Sequence, residues 1–229
     1  MVVANTKQTV VAREGWPLIG LLVAMALLVS WNIGGWTGVP LWVVAAGVSY
    51  LFRDPKRIVP PLPLAVISPV DGVVQKVGQI GDPCLERQAQ RISLCMGIGG
   101  AYSVRSPIEG KVMQRWVEKL TGNCCDPDTA NDALDDLGLW VQSDEQDDVV
   151  LLIPGGRALR SPRIYAFTGD RVGQGQRFGF IRLGSRVDVL VPPGSRVKVE
   201  PGERVRSGET VLAQLVHATA EDAVDSAVP

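Results

Sequence analysis

The chain has 229 residues and a formal net charge of −1, from 23 Lys and Arg against 24 Asp and Glu. That length holds one compact domain with an appendage or two small domains, and the near-neutral balance excludes a chain that binds nucleic acid through bulk positive charge. Four cysteines (Cys84, Cys95, Cys124 and Cys125) without C-x-x-C spacing and a single histidine, His217, exclude the usual zinc site. The low cysteine count and the lack of a cleavable signal fit a reducing, cytoplasmic globular part.

Residues 1–14 read as a polar tail carrying Lys7 and Arg13. Trp16 to Phe52 is then uncharged throughout. Two runs, WPLIGLLVAMALLVSW and VPLWVVAAGVSYLF, flank the break NIGGWTG, so residues 15–52 predict two membrane segments joined by a tight turn. As helices the runs reach ~24 Å and ~21 Å at ~1.5 Å per residue, short against a hydrocarbon core of ~30 Å. Lys7 and Arg13 precede the first leg, and Arg53, Lys56 and Arg57 follow the second. Both ends therefore face the cytoplasm in an antiparallel hairpin. Trp16, Trp31, Trp36 and Trp42 lie near the ends or the turn, where amphipathic rings favour the interface. A soluble helical hairpin is the alternative, disfavoured by the length of the uncharged run.

Residues 53–65 form a basic, Pro-rich linker, most of it in the string FRDPKRIVPPLP from Phe52 to Pro63. Its prolines stop the helix, and its cations belong at a membrane surface with anionic headgroups. From residue 66 short β-type runs alternate with Gly and Pro. Ser68-Pro-Val-Asp-Gly-Val-Val74 is echoed by Ser106-Pro-Ile-Glu-Gly-Lys-Val112, each reading as strand, turn, strand. Residues 126–139 read either as one short helix or as an ordered loop within an acidic, solvated stretch. The late segment VPPGSRVKVEPGERVRSGETVLAQL has the hairpin rhythm of biotinyl and lipoyl barrels. The fold class is therefore mainly β: a compact lipoyl-like β-barrel or sandwich over residues 66–215, preceded by the hydrophobic helical hairpin. Residues 216–229 read as a disordered acidic tail.

The most informative stretch is Phe178 to Pro193, FGFIRLGSRVDVLVPP. Ile181, Leu183, Val187, Val189 and Val191 keep one alternating phase on either side of Gly184-Ser185, which places that bond inside a strand pair. Gly184 admits a backbone geometry that larger residues resist, and the Ser185 hydroxyl can reach the preceding carbonyl. By contrast Gly194-Ser195, ten residues later, reads as a plain turn. The longer string RFGFIRLGSRVDVLVP resembles the processing site of short-form phosphatidylserine decarboxylases, close to RFGxIRxGSRVDVxLP. FRDPKR after the hairpin resembles a second string of that family.

The resemblance implies a proenzyme. Ser185 attacks the Gly184 carbonyl, and two chains, 1–184 and 185–229, result, the second capped by a pyruvoyl group made from Ser185. Its ketone reacts with the substrate amine and takes up the electrons released when the carboxylate leaves as carbon dioxide. The family's Asp in the first S-P-x-D-G turn falls on Asp71, and its role is to orient or deprotonate the serine. Tyr102 stands where the family has a histidine. Imidazole, with a pKa of ~6.5, both gives and takes a proton near neutrality, whereas a phenol at ~10 donates but is a poor base. Two further family strings are represented loosely, by Asn131-Asp132-Ala133 and by GRALRSPRI at Gly156 to Ile164. Seven arginines fall between Arg157 and Arg186, and Arg105, Arg182 and Arg186 are the candidates for the lipid phosphate.

The implied activity is conversion of phosphatidylserine to phosphatidylethanolamine at the cytoplasmic face of the cell membrane. The implied partners are a phospholipid substrate and the membrane, without metal or nucleic acid; the oligomeric state stays open, a homo-oligomer included. The alternative is a relative that binds lipid or a partner without turnover, motivated by Tyr102. A membrane-anchored envelope adaptor fits less well, since no long charged helical hairpin is present. A biotin or lipoyl carrier also fails, because no lysine occupies the Pro201 to Thr210 turn.

Overall fold

The computed structural model describes residues 15–32, 34–53, 55, 57–97, 100–118, 136–153, 162–181 and 186–216. Two helices, α1 (Trp16–Asn32) and α2 (Gly35–Leu51), come first. Small residues let them approach: Ala26 and Ala45 are buried between them, and a Cβ on Gly38 would overlap the Ser30 side chain. The other faces carry exposed Leu21, Leu28, Val43 and Val44, with Trp31 and Trp36 about nine-tenths exposed (90% and 91%) beside the turn. At 17 residues each, neither helix is long and apolar enough to cross a membrane.

The strands that follow are β1 (Ala65–Ile67), β2 (Gly72–Asp82), β3 (Arg87–Met96), β4 (Ser103–Arg105), β5 (Gly110–Glu118), β6 (Asp136–Gln142) and β7 (Asp148–Ile153). The second set is β8 (Arg163–Ile164), β9 (Arg171–Val172), β10 (Arg177–Phe180), β11 (Arg186–Val191), β12 (Arg196–Val197), β13 (Arg204–Val205) and β14 (Val211–Gln214). An eight-stranded antiparallel sheet runs β13-β2-β3-β11-β7-β6-β5-β9, with two three-stranded sheets, β1-β14-β12 and β4-β10-β8. The orders are symmetric. Exchanging β1, β2, β3, β11, β12, β13 and β14 for β4, β5, β6, β7, β8, β9 and β10 maps the large sheet onto itself and one small sheet onto the other. The protein is thus two similar units, of which the second is continuous and inserted between β3 and β11 of the first.

Local hydrogen bonds repeat with the same symmetry. In the first unit Val74 N–H donates to the Glu203 carbonyl (2.9 Å) and Gly202 N–H to the Val74 carbonyl (2.7 Å); in the second, Val112 N–H donates to Asp170 (2.8 Å) and Gly169 N–H to Val112 (2.7 Å). The partners of the S-P-x-[DE]-G strands are themselves a repeat, GDRVGQG from Gly169 and GERVRSG from Gly202. Gly169 and Gly202 take nearly equal positive φ, 94° and 93°, a conformation that favours glycine.

Alternation builds the core. Val187, Val189 and Val191 of β11 and Leu137, Leu139 and Val141 of β6 point into one cluster shared by all three sheets. Val150, Leu152 and Leu190 pack with Ala89 on the opposite face. Two expectations change here. Residues 136–139 belong to strand β6, because Leu137, Leu139 and Val141 follow a period of two; residues 126–135 lie outside the described residues. The strands flanking the Gly-Ser dipeptide are not a pair: β10 joins β4 and β8, whereas β11 joins β3 and β7. A shared phase records which side is buried, not which strand is the neighbour.

At the start of β5 the backbones touch: a Cβ on Gly110 would lie 2.1 Å from the Gln142 carbonyl oxygen. Gly110→Ala is therefore expected to cost about 1–3 kcal/mol, read from the urea unfolding midpoint. Gly78→Ala, where a Cβ meets nothing within 4 Å, is expected to be neutral by the same measurement.

Candidate active site

Asp71 sits on the corner between β1 and β2. The corner is shaped by Ser68, whose Oγ donates to the Val70 carbonyl (2.7 Å), and by the Pro69 carbonyl, which accepts from Arg105 N–H (2.9 Å) and Ser207 Oγ (2.9 Å). Three donors converge on the carboxylate. Arg57 Nη2 (2.8 Å) and Ala101 N–H (2.9 Å) reach Oδ2, and Ser207 N–H (2.7 Å) reaches Oδ1. Gly100 packs on this side chain, since a Cβ there would come 2.8 Å from Asp71 Cβ. A carboxylate offers about four lone-pair positions, so the three donors among the described residues leave one, on Oδ1. The equivalent residue of the second unit, Glu109, is exposed.

Tyr102 follows Ala101 and is buried. Its carbonyl accepts from Ile181 N–H (2.9 Å), and its ring meets Phe180 edge-on with centroids 6.2 Å apart. Phe180 in turn stacks on Phe52, just beyond α2, at 5.8 Å. Burial pushes the Tyr102 phenol above its ordinary pKa, because the charged phenolate is poorly solvated there. At neutral pH the hydroxyl therefore keeps its proton.

Val73, Cys95 and Arg186 form one row across β2, β3 and β11. Both β2 and β11 run antiparallel to β3, hence parallel to each other, so Asp71 and the beginning of β11 lie at the same end of the sheet. Gly184, Ser185 and Arg182 lie outside the described residues, as do Asn131-Asp132-Ala133, Arg157, Arg160, Cys124, Cys125 and His217. Arg186 is engaged within the sheet, its Nε donating to Asp188 Oδ1 (3.1 Å) and its Nη2 to Ser93 Oγ (3.2 Å). Arg105 is 3% exposed, and its guanidinium donates to the carbonyls of Gly175 (3.1 Å) and Pro55 (3.3 Å). It fastens the linker to the barrel. Ser195 N–H donates to the Pro192 carbonyl (3.0 Å), the plain turn expected there.

Two residues of this constellation carry no site signal in the sequence. Arg57 was expected at the membrane surface, yet its side chain turns into the barrel at 13% exposure. Ser207 acts mainly through its backbone N–H, which no residue type signals; the recurrence of G-[DE]-R-V-x-x-G was the available clue.

A family model described as phosphatidylserine decarboxylase matches residues 44–213. The chain is also similar to the phosphatidylserine decarboxylase proenzyme of Nitrosomonas europaea, 38% identical over 207 residues that cover 90% of this chain and 95% of that one. Similar proenzymes occur in Aromatoleum aromaticum, 36% identical over 212 residues (92% and 98% covered), and in Burkholderia ambifaria, 37% over 214 residues (92% and 99%).

The raised Tyr102 pKa fixes the sign of an alkaline effect. As pH climbs past 10.0, the unfolded phenol loses its proton before the folded one, so the folded chain binds more protons and stability falls with pH. Tyr102→Phe lacks this term. Its thermal midpoint is expected to fall less steeply than that of the wild type above pH 10, and in parallel with it below pH 9.

Proposed function

The chain belongs to the phosphatidylserine decarboxylase family, and we propose that it becomes active by cutting itself at Gly184-Ser185, at the cytoplasmic face of the membrane. One observation carries this reading: the Asp71 carboxylate, with one acceptor position left on Oδ1, lies at the sheet end where β11 begins. Ser185 is bonded to Arg186, the first residue of that strand. In this reading Asp71 takes the Ser185 hydroxyl proton as the oxygen bonds to the Gly184 carbonyl carbon. The C–N bond breaks and the amide becomes an ester. Elimination then breaks the Ser185 Cβ–Oγ bond, releasing residues 1–184 as a carboxylate, and one water displaces ammonia to leave a pyruvoyl cap on residues 185–229.

The residues present fit that group, because a carboxylate and a buried phenol lie toward the sheet end where β11, whose first residue is bonded to Ser185, begins. When formed, the pyruvoyl group supplies the electron sink for loss of carbon dioxide. Tyr102 Oη, holding its proton at neutral pH, is the group that donates to the product carbon. With Arg105 and Arg186 engaged by protein partners, Arg182 is the phosphate contact in this reading. The domain limits at residues 15–52, 53–65 and 66–215 serve the same end. The hairpin seats its exposed Leu, Val and Trp side chains in the bilayer, and Arg53, over the Tyr50 ring at 4.2 Å, marks the headgroup level. A relative without turnover is the second reading, favoured by a phenol in place of the family histidine.

Release of carbon dioxide from phosphatidylserine vesicles is expected for the wild type and absent for Ser185→Ala. Tyr102→Phe is expected to cut mature chains normally and lose roughly 10²–10⁴-fold in decarboxylation rate. No release from a wild type that has cut itself would favour the second reading. Leu28→Asp combined with Val43→Asp is expected to abolish co-flotation with those vesicles, and unchanged flotation would remove the hairpin from this account.

A further inference from the structure

We propose that Arg57 is a positioning residue for self-cleavage, fixing the Asp71 carboxylate from the linker that leaves the membrane hairpin. The proposal rests on the reading of Asp71 as the group that acts on Ser185. Arg57 bridges two carboxylates, with Nη2 2.8 Å from Asp71 Oδ2 and Nη1 3.5 Å from Glu209 Oε1. A carboxyl group turns about its Cβ–Cγ bond unless both oxygens are held. Arg57 and Ala101 N–H occupy Oδ2 while Ser207 N–H takes one side of Oδ1, which leaves the remaining acceptor position in a single direction. The guanidinium is largely withdrawn from water, at 13% exposure, so the pair is less screened than a surface ion pair.

Fastening the linker does not account for this contact. The Phe52–Phe180 stack and the Arg105 bond to the Pro55 carbonyl already tie the linker down on the side of the hairpin. The internal symmetry supplies the comparison. Glu109, equivalent to Asp71, sits on an equivalent corner, starts an equivalent strand and is exposed. Among the described residues, what the first unit adds is Arg57, together with Ala101 N–H and Ser207 N–H. Gly208, at φ 77°, lets the chain pass closely here, since a Cβ on it would lie 3.4 Å from Arg57 Cβ and 3.1 Å from Arg105 Cδ.

The test follows full-length chain made by cell-free synthesis with vesicles of phosphatidylethanolamine and phosphatidylglycerol, timing its conversion into residues 1–184 and 185–229 on gels. Arg57→Met is expected to slow cleavage roughly 10- to 100-fold while keeping native near-ultraviolet dichroism, and Arg57→Lys to recover most of the rate. Arg171→Gln, an exposed arginine of the second unit, is expected to cleave like the wild type. Cleavage of folded Arg57→Met at the wild-type rate overturns the proposal, and so does an Arg57→Lys as slow as Arg57→Met. If Arg57→Met lacks native near-ultraviolet dichroism, the more polar Arg57→Gln decides on the same criterion. A wild type that stays whole overturns self-cleavage and this proposal together, whereas a wild type that cleaves beside an unimpaired Arg57→Met overturns this proposal alone.

Discussion

One carboxylate holds four segments of chain together. Asp71 receives donors from the linker at Arg57, from Ala101 after β3, and from Ser207 in the loop between β13 and β14, while its own backbone turns the corner into β2. A half-buried carboxylate without those donors would be costly, since water no longer solvates it fully. With them it is a fixed point, and Tyr102 is placed by being the next residue after one of its anchors. The chemistry assigned to this end of the sheet depends on that convergence.

The duplicated architecture shows how such a point arises. The second unit closes β6 to β7 through a short turn, where Ser143 N–H donates to the Asp147 carbonyl (2.9 Å). In the first unit the equivalent strands, β3 and β11, are joined only through the whole of the second unit. The chain therefore re-enters the large sheet at Arg186 after a long excursion, and the Gly-Ser dipeptide occupies the approach to that re-entry. The position equivalent to a tight hairpin turn has become a junction between two sheets. Among the described residues the first unit gathers polar donors on Asp71, whereas the equivalent Glu109 is exposed.

Much of this was legible in residue patterns. The uncharged run from Trp16 to Phe52 marks the helical pair, and the S-P-x-[DE]-G echo marks the two corners of the duplication. Strings resembling those of the family single out Asp71 and Tyr102, and the structure brings both to one end of the large sheet. Strand neighbours were not legible, because the alternation of Val187, Val189 and Val191 reports burial and is silent about pairing. The strand at Asp136–Gln142 was obscured by the acidic residues before it, which favour a helical or loop reading. The carboxylate partner of Arg57 is not legible, because a cation beside an apolar run attracts an electrostatic explanation, and only the three-dimensional path of the linker reveals Asp71. Ser207 was invisible for a simpler reason, since a backbone N–H belongs to nearly every residue.

The structure also ties the apolar hairpin to the candidate site. Phe52 ends α2 and stacks on Phe180, which meets Tyr102, and five residues further Arg57 meets Asp71. The route from exposed helix to candidate site is a few side chains long. The intact mass of the chain that begins at residue 185 tests the central claim most directly. The account predicts a fragment of residues 185–229 lighter than its sequence by one ammonia, with a ketone that reacts with hydrazines. A single species at the full 24.6 kDa in catalytically active protein would contradict it.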